Sequence, residues 1–378
     1  MPVRRPDNVV FTTIVWGIAG LAAVPLSLLL LMEGGGPVVL VATLLALLPV
    51  GPLLACYLWL DRYEPEPRSL LAAGLAWGAL VATMAAVVVT TIPSVVMPLT
   101  PFADLTVVAP VVEEATKGAF LVLLLLWRRH ELDGILDGIV YAGMVGIGFA
   151  FTENILYLAR AWNGTDGVGP GGVAGLTVTF VIRCLASPFA HPLFTTFTGI
   201  AVGIAITSRI RAVRLLAPLL GYALAVLTHA AWNGSSFIAG GTGFFAVYFL
   251  VMVPVLVVVA SFAVWVRSRE RVLLHAALHD AAGRGLIPYG DIPHVVDLGA
   301  RRAARRLART HGGTPGVAAM REYQRAAVEL GYLHHRFLTG TAPGDFASRG
   351  QGFVTRMQAV RPRIAFPQSH VAPGGRTA

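Results

Sequence analysis

The 378 residues contain one lysine, Lys117, and two cysteines, Cys56 and Cys184. Two cysteines, both inside apolar runs, exclude a disulfide framework and a cysteine-based zinc module. Charge is also scarce. Asp, Glu, Lys and Arg together make up 13% of the chain, about half the usual share for a soluble globular domain. An ordinary soluble fold is therefore excluded. Apolar residues fill the gap, at 56% of the chain with a mean hydropathy of +0.70.

The apolar residues come in membrane-length runs, and a bilayer needs roughly 20 such residues per helix. Eight runs qualify: 10–32, 38–60, 70–97, 105–127, 135–159, 176–207, 215–237 and 244–266. The sequence thus predicts an all-α polytopic membrane protein with about eight transmembrane helices and a C-terminal cytoplasmic helical tail. The run at 176–207 holds Pro188 and Pro192, so a kink or break is expected there. The first run is too long for a signal-peptide core and has no small-residue cleavage site after it, so it reads as a retained anchor.

Arginines fix the expected orientation. Arg4, Arg5, Arg62, Arg68, Arg128, Arg129, Arg209, Arg211 and Arg214 all fall on one side of an eight-span arrangement, and Arg160 alone lies at a span end on the other. The positive-inside rule then puts both termini in the cytoplasm.

The charge is uneven along the chain. Residues 1–266 carry 12 basic and 13 acidic side chains, whereas residues 267–378 carry 17 arginines and 7 acidic side chains. This divides the chain into a transmembrane unit (1–266), a basic cytoplasmic helical region (267–339) and an end rich in Gly, Pro, Arg and Gln (340–378) expected to be disordered. Helices are expected near 267–282, 293–310 and 315–337, with Asp291 and Thr314 as caps before Pro293 and Pro315. The basic helices suit anionic lipid headgroups. No zinc finger or RNA-binding motif accompanies them, so nucleic acid is not an expected partner.

Four spans carry polar groups that an apolar helix does not need. They are Glu113, Glu114 and Lys117; Glu153 and Asn154, after Phe149; Arg183 and His191; and His229 with Asn233. A charge at the bilayer centre costs about 2.5–3.5 kcal/mol on insertion scales, so these groups need partners or a task. Glu113 and Lys117 are one helical turn apart, as are His229 and Asn233. Counting residues from the span ends at 1.5 Å each puts Glu113, Glu153 and His229 roughly 9–12 Å below the outer surface. Two histidines and a carboxylate form a recurring catalytic zinc set, and a further glutamate could deprotonate the bound water. Carboxylates and histidines at this depth also suit a proton- or ion-coupled transporter. That alternative predicts an inverted repeat, and residues 10–130 and 140–266 show no convincing internal symmetry.

The segments EEATK (113–117), FAFTEN (149–154), HPLF (191–194) and HAAWN (229–233), with the loop DRYEPEP (61–67), resemble the PrsW family of intramembrane proteases. The likeness runs over roughly residues 50–240 and stops before the basic tail. It extends to the wider group of CAAX-prenyl and bacteriocin-processing membrane proteases. There the two glutamates are followed by arginine, where this chain has Lys117 one position early, and a histidine stands in place of Glu153. The resemblance implies hydrolysis of a single-span membrane protein in the bacterial cytoplasmic membrane. It further implies an anti-sigma factor cut on its extracytoplasmic side in stress signalling. It makes Glu113 or Glu114 the base, with Glu113 favoured, and Asn233 the oxyanion donor. His191 and His229, with Glu153, would bind zinc or, in its absence, polarise the water. Lys117, Asn154 and Arg183 are supporting groups, the cations serving as counter-charges.

Overall fold

The computed structural model describes residues 9–96, 100–165 and 171–367. Arg4, Arg5, the end of the expected third span at Met97, the loop around Gly169 and residues 368–378 lie outside the described residues. The described chain is helical and contains no strand. In order the helices are α1 Val9–Leu47, α2 Val50–Leu60, α3 Arg68–Ala76, α4 Thr83–Val96, α5 Pro101–Ala103, α6 Ala109–Trp127, α7 Ile135–Asn163, α8 Gly172–Phe180, α9 Ala190–Thr207, α10 Arg211–Gly234, α11 Gly243–Val247, α12 Val253–Gly283, α13 Pro293–Val296, α14 Leu298–Leu338 and α15 Phe346–Val360. Wider π-type turns join α3 to α4, α5 to α6, α11 to α12, and lead out of α8.

The protein is an integral membrane protein. Among the described residues, six helical runs are long and apolar enough to cross a membrane: Val10–Leu60, Arg68–Thr91, Ile135–Asn163, Gly172–Thr207, Arg211–Ile238 and Gly243–Gly283. The difference from eight has two physical sources. The expected spans 10–32 and 38–60 fall within one helical run, in which α1 breaks at Gly35 (φ 68°, ψ 169°). The expected span 105–127 becomes α6 and the turn before it, and three charges, Glu113, Glu114 and Lys117, remove α6 from any purely apolar set. The proline-bearing span does break. α8 gives way to a π turn over Val181–Ala186, Pro188 sits in a tight turn, and α9 restarts at Ala190.

The chain separates into two compact units, one over Arg4–Val264 and the other from Trp265 onward. In the first, α7 is the central helix, buried along nearly its whole length and packed on α9, α1, α3 and α2. Small residues allow that crowding, since membrane helices gain little from apolar burial and rely on close backbone packing. A Cβ on Gly138 would lie 2.1 Å from the Gly199 carbonyl oxygen, and one on Gly146 would lie 2.6 Å from Pro192 Cα. These approaches draw α9, and with it His191, against α7. Indole Nε1 of Trp77 donates to the Thr116 carbonyl (2.9 Å), tying the α3–α4 turn to α6. The loop after α2 is pinned to α7 by Tyr141, whose hydroxyl donates to Glu66 (2.6 Å).

The second unit is a helical domain with its own core, including Leu274, Leu278, Val295, Met320 and Tyr323. Three local expectations change here. Asp291 caps no helix start; it is buried, accepts from Tyr323 Oη and binds the Arg361 guanidinium, while Asp297 caps α14 through Ala300 N–H (2.8 Å). The helices expected at 293–310 and 315–337 become α13 and one long α14 broken at Gly313 (φ 58°), with Thr314 just after the break. The end expected to be disordered instead carries α15, because Val354 and Met357 are apolar enough to join the core.

Candidate active site

Glu113, Glu114 and Lys117 lie on α6, Glu153 and Asn154 on α7, His191 on α9 and His229 on α10, with Arg183 in the π turn after α8. The structure brings these residues into one connected polar network inside the apolar unit. Each of the two adjacent glutamates takes a different direction, as the 100° step of a helix requires.

Glu114 is fully buried and fully engaged. Its Oε1 accepts from Lys117 Nζ (2.8 Å) and lies 3.0 Å from His229 Nδ1, and its Oε2 accepts from Thr195 Oγ1 (3.0 Å). Glu113 is more open. Among the described residues only its Oε2 is engaged, 3.4 Å from Lys117 Nζ and 3.7 Å from His229 Nε2. Lys117 is itself fully buried. Its ammonium also lies 3.1 Å from His191 Nδ1 and 3.7 Å from the centroid of the Phe149 ring. That cation–π contact and the two carboxylates replace the water the ammonium has lost.

His191 is held on its other side. Its Nε2 lies 2.6 Å from Glu153 Oε2. Arg183 binds the same carboxylate, donates to Asn154 Oδ1 (2.9 Å) and stacks over Tyr157 (3.8 Å). The two imidazoles meet edge to face at 5.1 Å, and Phe194 stacks on His229 at 4.7 Å. With the three carboxylates ionised and both imidazoles neutral, the two cations leave the cluster one negative charge.

One donor atom each from Glu113, His191 and His229 lie within 4.8 Å of one another. Four ligands at zinc's usual 2.0–2.2 Å would sit about 3.3–3.6 Å apart around a tetrahedron. The 3.7 Å between Glu113 Oε2 and His229 Nε2 is close to that spacing. The donor types also fit a divalent cation. His229 has a carboxylate at Nδ1 and Nε2 turned toward Glu113, the arrangement that fixes ligating histidines elsewhere; His191 has Glu153 at Nε2 and the Lys117 ammonium at Nδ1.

Two of the expected site residues lie outside the trio. Glu153 is not in the ligand-like trio; its carboxylate is closed between His191 and Arg183, and Glu113 takes the place expected for it. Asn233 follows His229 by one turn, but its Nδ2 donates to the Leu105 carbonyl (2.9 Å), outside the network. Sequence reasoning missed Thr195, although its i+4 spacing from His191 would have put it on the same face. Tyr157 carries no signal, because aromatic residues are common in apolar helices, and Phe194 enters only as the last residue of HPLF (191–194).

A family model described as "PrsW family intramembrane metalloprotease" matches residues 66–259, from the end of the α2–α3 loop into α12. The chain is similar to Protease PrsW of Geobacillus kaustophilus, 31% identical over 154 residues, which are 40% of this chain and 62% of that protein. It is also similar to Protease PrsW of Oceanobacillus iheyensis, 29% identical over 158 residues, 41% of this chain and 63% of the relative. The chain thus spans a little under two thirds of the length of these curated relatives. No solved structure matches it.

Proposed function

The chain belongs to the PrsW family of intramembrane metalloproteases, and we propose that it hydrolyses a peptide bond of a membrane-anchored protein at the Glu113–His191–His229 centre. The observation that carries this reading is the meeting of those three donor groups, from three helices, within 4.8 Å inside an apolar bundle. A structural charge pair would need only Lys117 and one glutamate.

Glu113, His191 and His229 would hold the metal, zinc by donor type. Bound there, the ion would polarise the scissile carbonyl and make water acidic enough to attack near neutrality. Glu113 takes the proton from the attacking water, since its Oε1 is uncommitted and its side chain is 10% exposed, against none for Glu114. It then returns that proton to the leaving amine. Glu114 keeps His229 turned through Nδ1, and Lys117 holds Glu114 in its ionised form. Glu153, clamped by Arg183, which Asn154 in turn holds, orients His191. Asn233 serves as oxyanion donor only if its amide leaves the Leu105 carbonyl when substrate binds.

The substrate in this reading is a single-span protein of the bacterial cytoplasmic membrane, with an anti-sigma factor as the finer expectation. The enzyme has eight spans and cytoplasmic termini. The test is cleavage of a single-span reporter in proteoliposomes by the wild type and by Glu113→Gln. Loss of cleavage in the variant supports the proposal, and equal cleavage by both proteins overturns it.

A further inference from the structure

Five acidic residues of the second unit are paired with arginines other than those of residues 302–309. Asp280 binds Arg284 at 2.7 Å, Asp291 binds Arg361 at 2.9 Å, and Asp297 lies 3.5 Å from Arg271. Glu322 binds Arg356 at 2.7 Å, and Glu329 binds Arg325 at 3.1 Å. The first turns of α14 hold Arg302, Arg306 and Arg309, all exposed. Their spacing of four and then three residues puts them on one face. Arg305 lies beside Arg321 closely enough that burial and this second guanidinium lower its affinity for a proton. Among the described residues no ion pair reaches any of these five arginines. Sequence alone gives an excess of positive charge, and the fold concentrates that excess on one surface.

We infer that Arg302, Arg305, Arg306, Arg309 and Arg321 form a docking surface for the anionic phospholipid headgroups of the membrane that holds the chain. Guanidinium groups bind phosphate oxygens through paired N–H donors. The basic unit follows the last apolar run directly in sequence. Tethering of this kind raises the effective concentration of the surface at the bilayer, and each basic side chain near an anionic leaflet adds to the attraction. A single-stranded nucleic acid would call for aromatic residues between the cations, on which bases stack. Residues 298–311 contain no Phe, Tyr or Trp.

The inference rests on the membrane location of the chain and not on its proposed catalysis, so Glu113→Gln protein serves equally well for the test. Full-length protein is placed in nanodiscs of phosphatidylcholine alone or with added phosphatidylglycerol. Arginine modification by phenylglyoxal is then read residue by residue by mass spectrometry. Anionic lipid is expected to slow modification of Arg302, Arg306 and Arg309 several-fold, with the protection lost at high salt and Arg284 unchanged. In a second arm, the Arg302→Gln/Arg306→Gln/Arg309→Gln protein should retain fewer phosphatidylglycerol molecules in native mass spectra than the wild type. Equal modification in both nanodiscs overturns the proposal. So does protection by added duplex DNA or RNA but not by anionic lipid, which would assign the face to nucleic acid.

Discussion

Glu114 Oε1 lies 3.0 Å from His229 Nδ1, so the carboxylate on α6 sets the orientation of the imidazole on α10. The same oxygen is 2.8 Å from the buried Lys117 ammonium. Glu113 meets the same two groups only at longer range, 3.4 Å from Lys117 Nζ and 3.7 Å from His229 Nε2, and the two glutamates should fail differently when altered.

Glu114→Gln leaves Lys117 in an apolar interior with its nearest counter-charge removed. Breaking a buried pair in this way costs about 3–5 kcal/mol, so the variant should melt at lower temperature and yield less folded protein. Glu113→Gln should keep the wild-type melting temperature while turnover falls about 10²–10⁴-fold, the usual contribution of a general acid–base group. Thermal unfolding in detergent and reporter cleavage, measured on the same preparations, separate the two. A stable Glu114→Gln protein beside an unstable Glu113→Gln protein would reverse the assignment.

Metal content offers an independent check. The purified protein should hold about one zinc per chain, lose it together with cleavage on chelation, and recover both when zinc is added. Arg183→Ala releases Glu153, which orients His191, and should weaken zinc binding about 10–100-fold, as loss of such outer partners does elsewhere. Metal-free protein that still cleaves would leave His191 and His229 polarising water without serving as ligands.

The polar network was legible in the sequence because lipid makes each polar residue conspicuous. Glu113, Lys117, Glu153, His191 and His229 stood out by their cost at depth, and the structure joins them. Which carboxylate meets which imidazole was not legible. That depends on helix rotation, set by close approaches such as Gly138 against Gly199. For the same reason the spacing of Asn233 from His229 fixes a face but not a partner. In the tail, Asp291 looked like a cap because it precedes Pro293. Its partners Tyr323 and Arg361 lie far along the chain, beyond the reach of local pattern.

The membrane orientation is open to direct measurement. Reporters fused after Arg129 or Arg211 should be cytoplasmic, and one fused near Gly240 should be external. The basis is the alternation of arginine between loops. A cytoplasmic reporter at Gly240 together with an external one at Arg211 would overturn the proposed orientation and place the catalytic groups in the other leaflet.

The loop between α2 and α3 should loosen as pH rises. Asp61 lies just outside the first membrane run, is buried to 6% exposure, and accepts both bonds from the Glu66 backbone N–H (3.2 and 3.0 Å). Burial pushes its carboxyl from the ordinary 3.8 up to about 8, with the backbone N–H opposing and nearby Asp137 reinforcing the rise. Glu66 is raised too, first by burial and then by Asp137. A carboxyl whose affinity for protons is higher in the folded loop than in the open one favours the folded loop most at low pH. That advantage is lost progressively from about pH 4 to about pH 8, where the folded carboxyl itself ionises; the sign is the reverse of the usual ion-paired aspartate. Hydrogen exchange of the backbone amides from Asp61 to Glu66, corrected for intrinsic rates, should therefore show protection falling between pH 5 and 8. Asp61→Asn, which cannot ionise, should flatten the part of that fall due to Asp61 and leave the contribution of Glu66. Protection that rises with pH in the wild type would mean that these carboxylates are stabilised as anions by a partner the buried cluster does not contain.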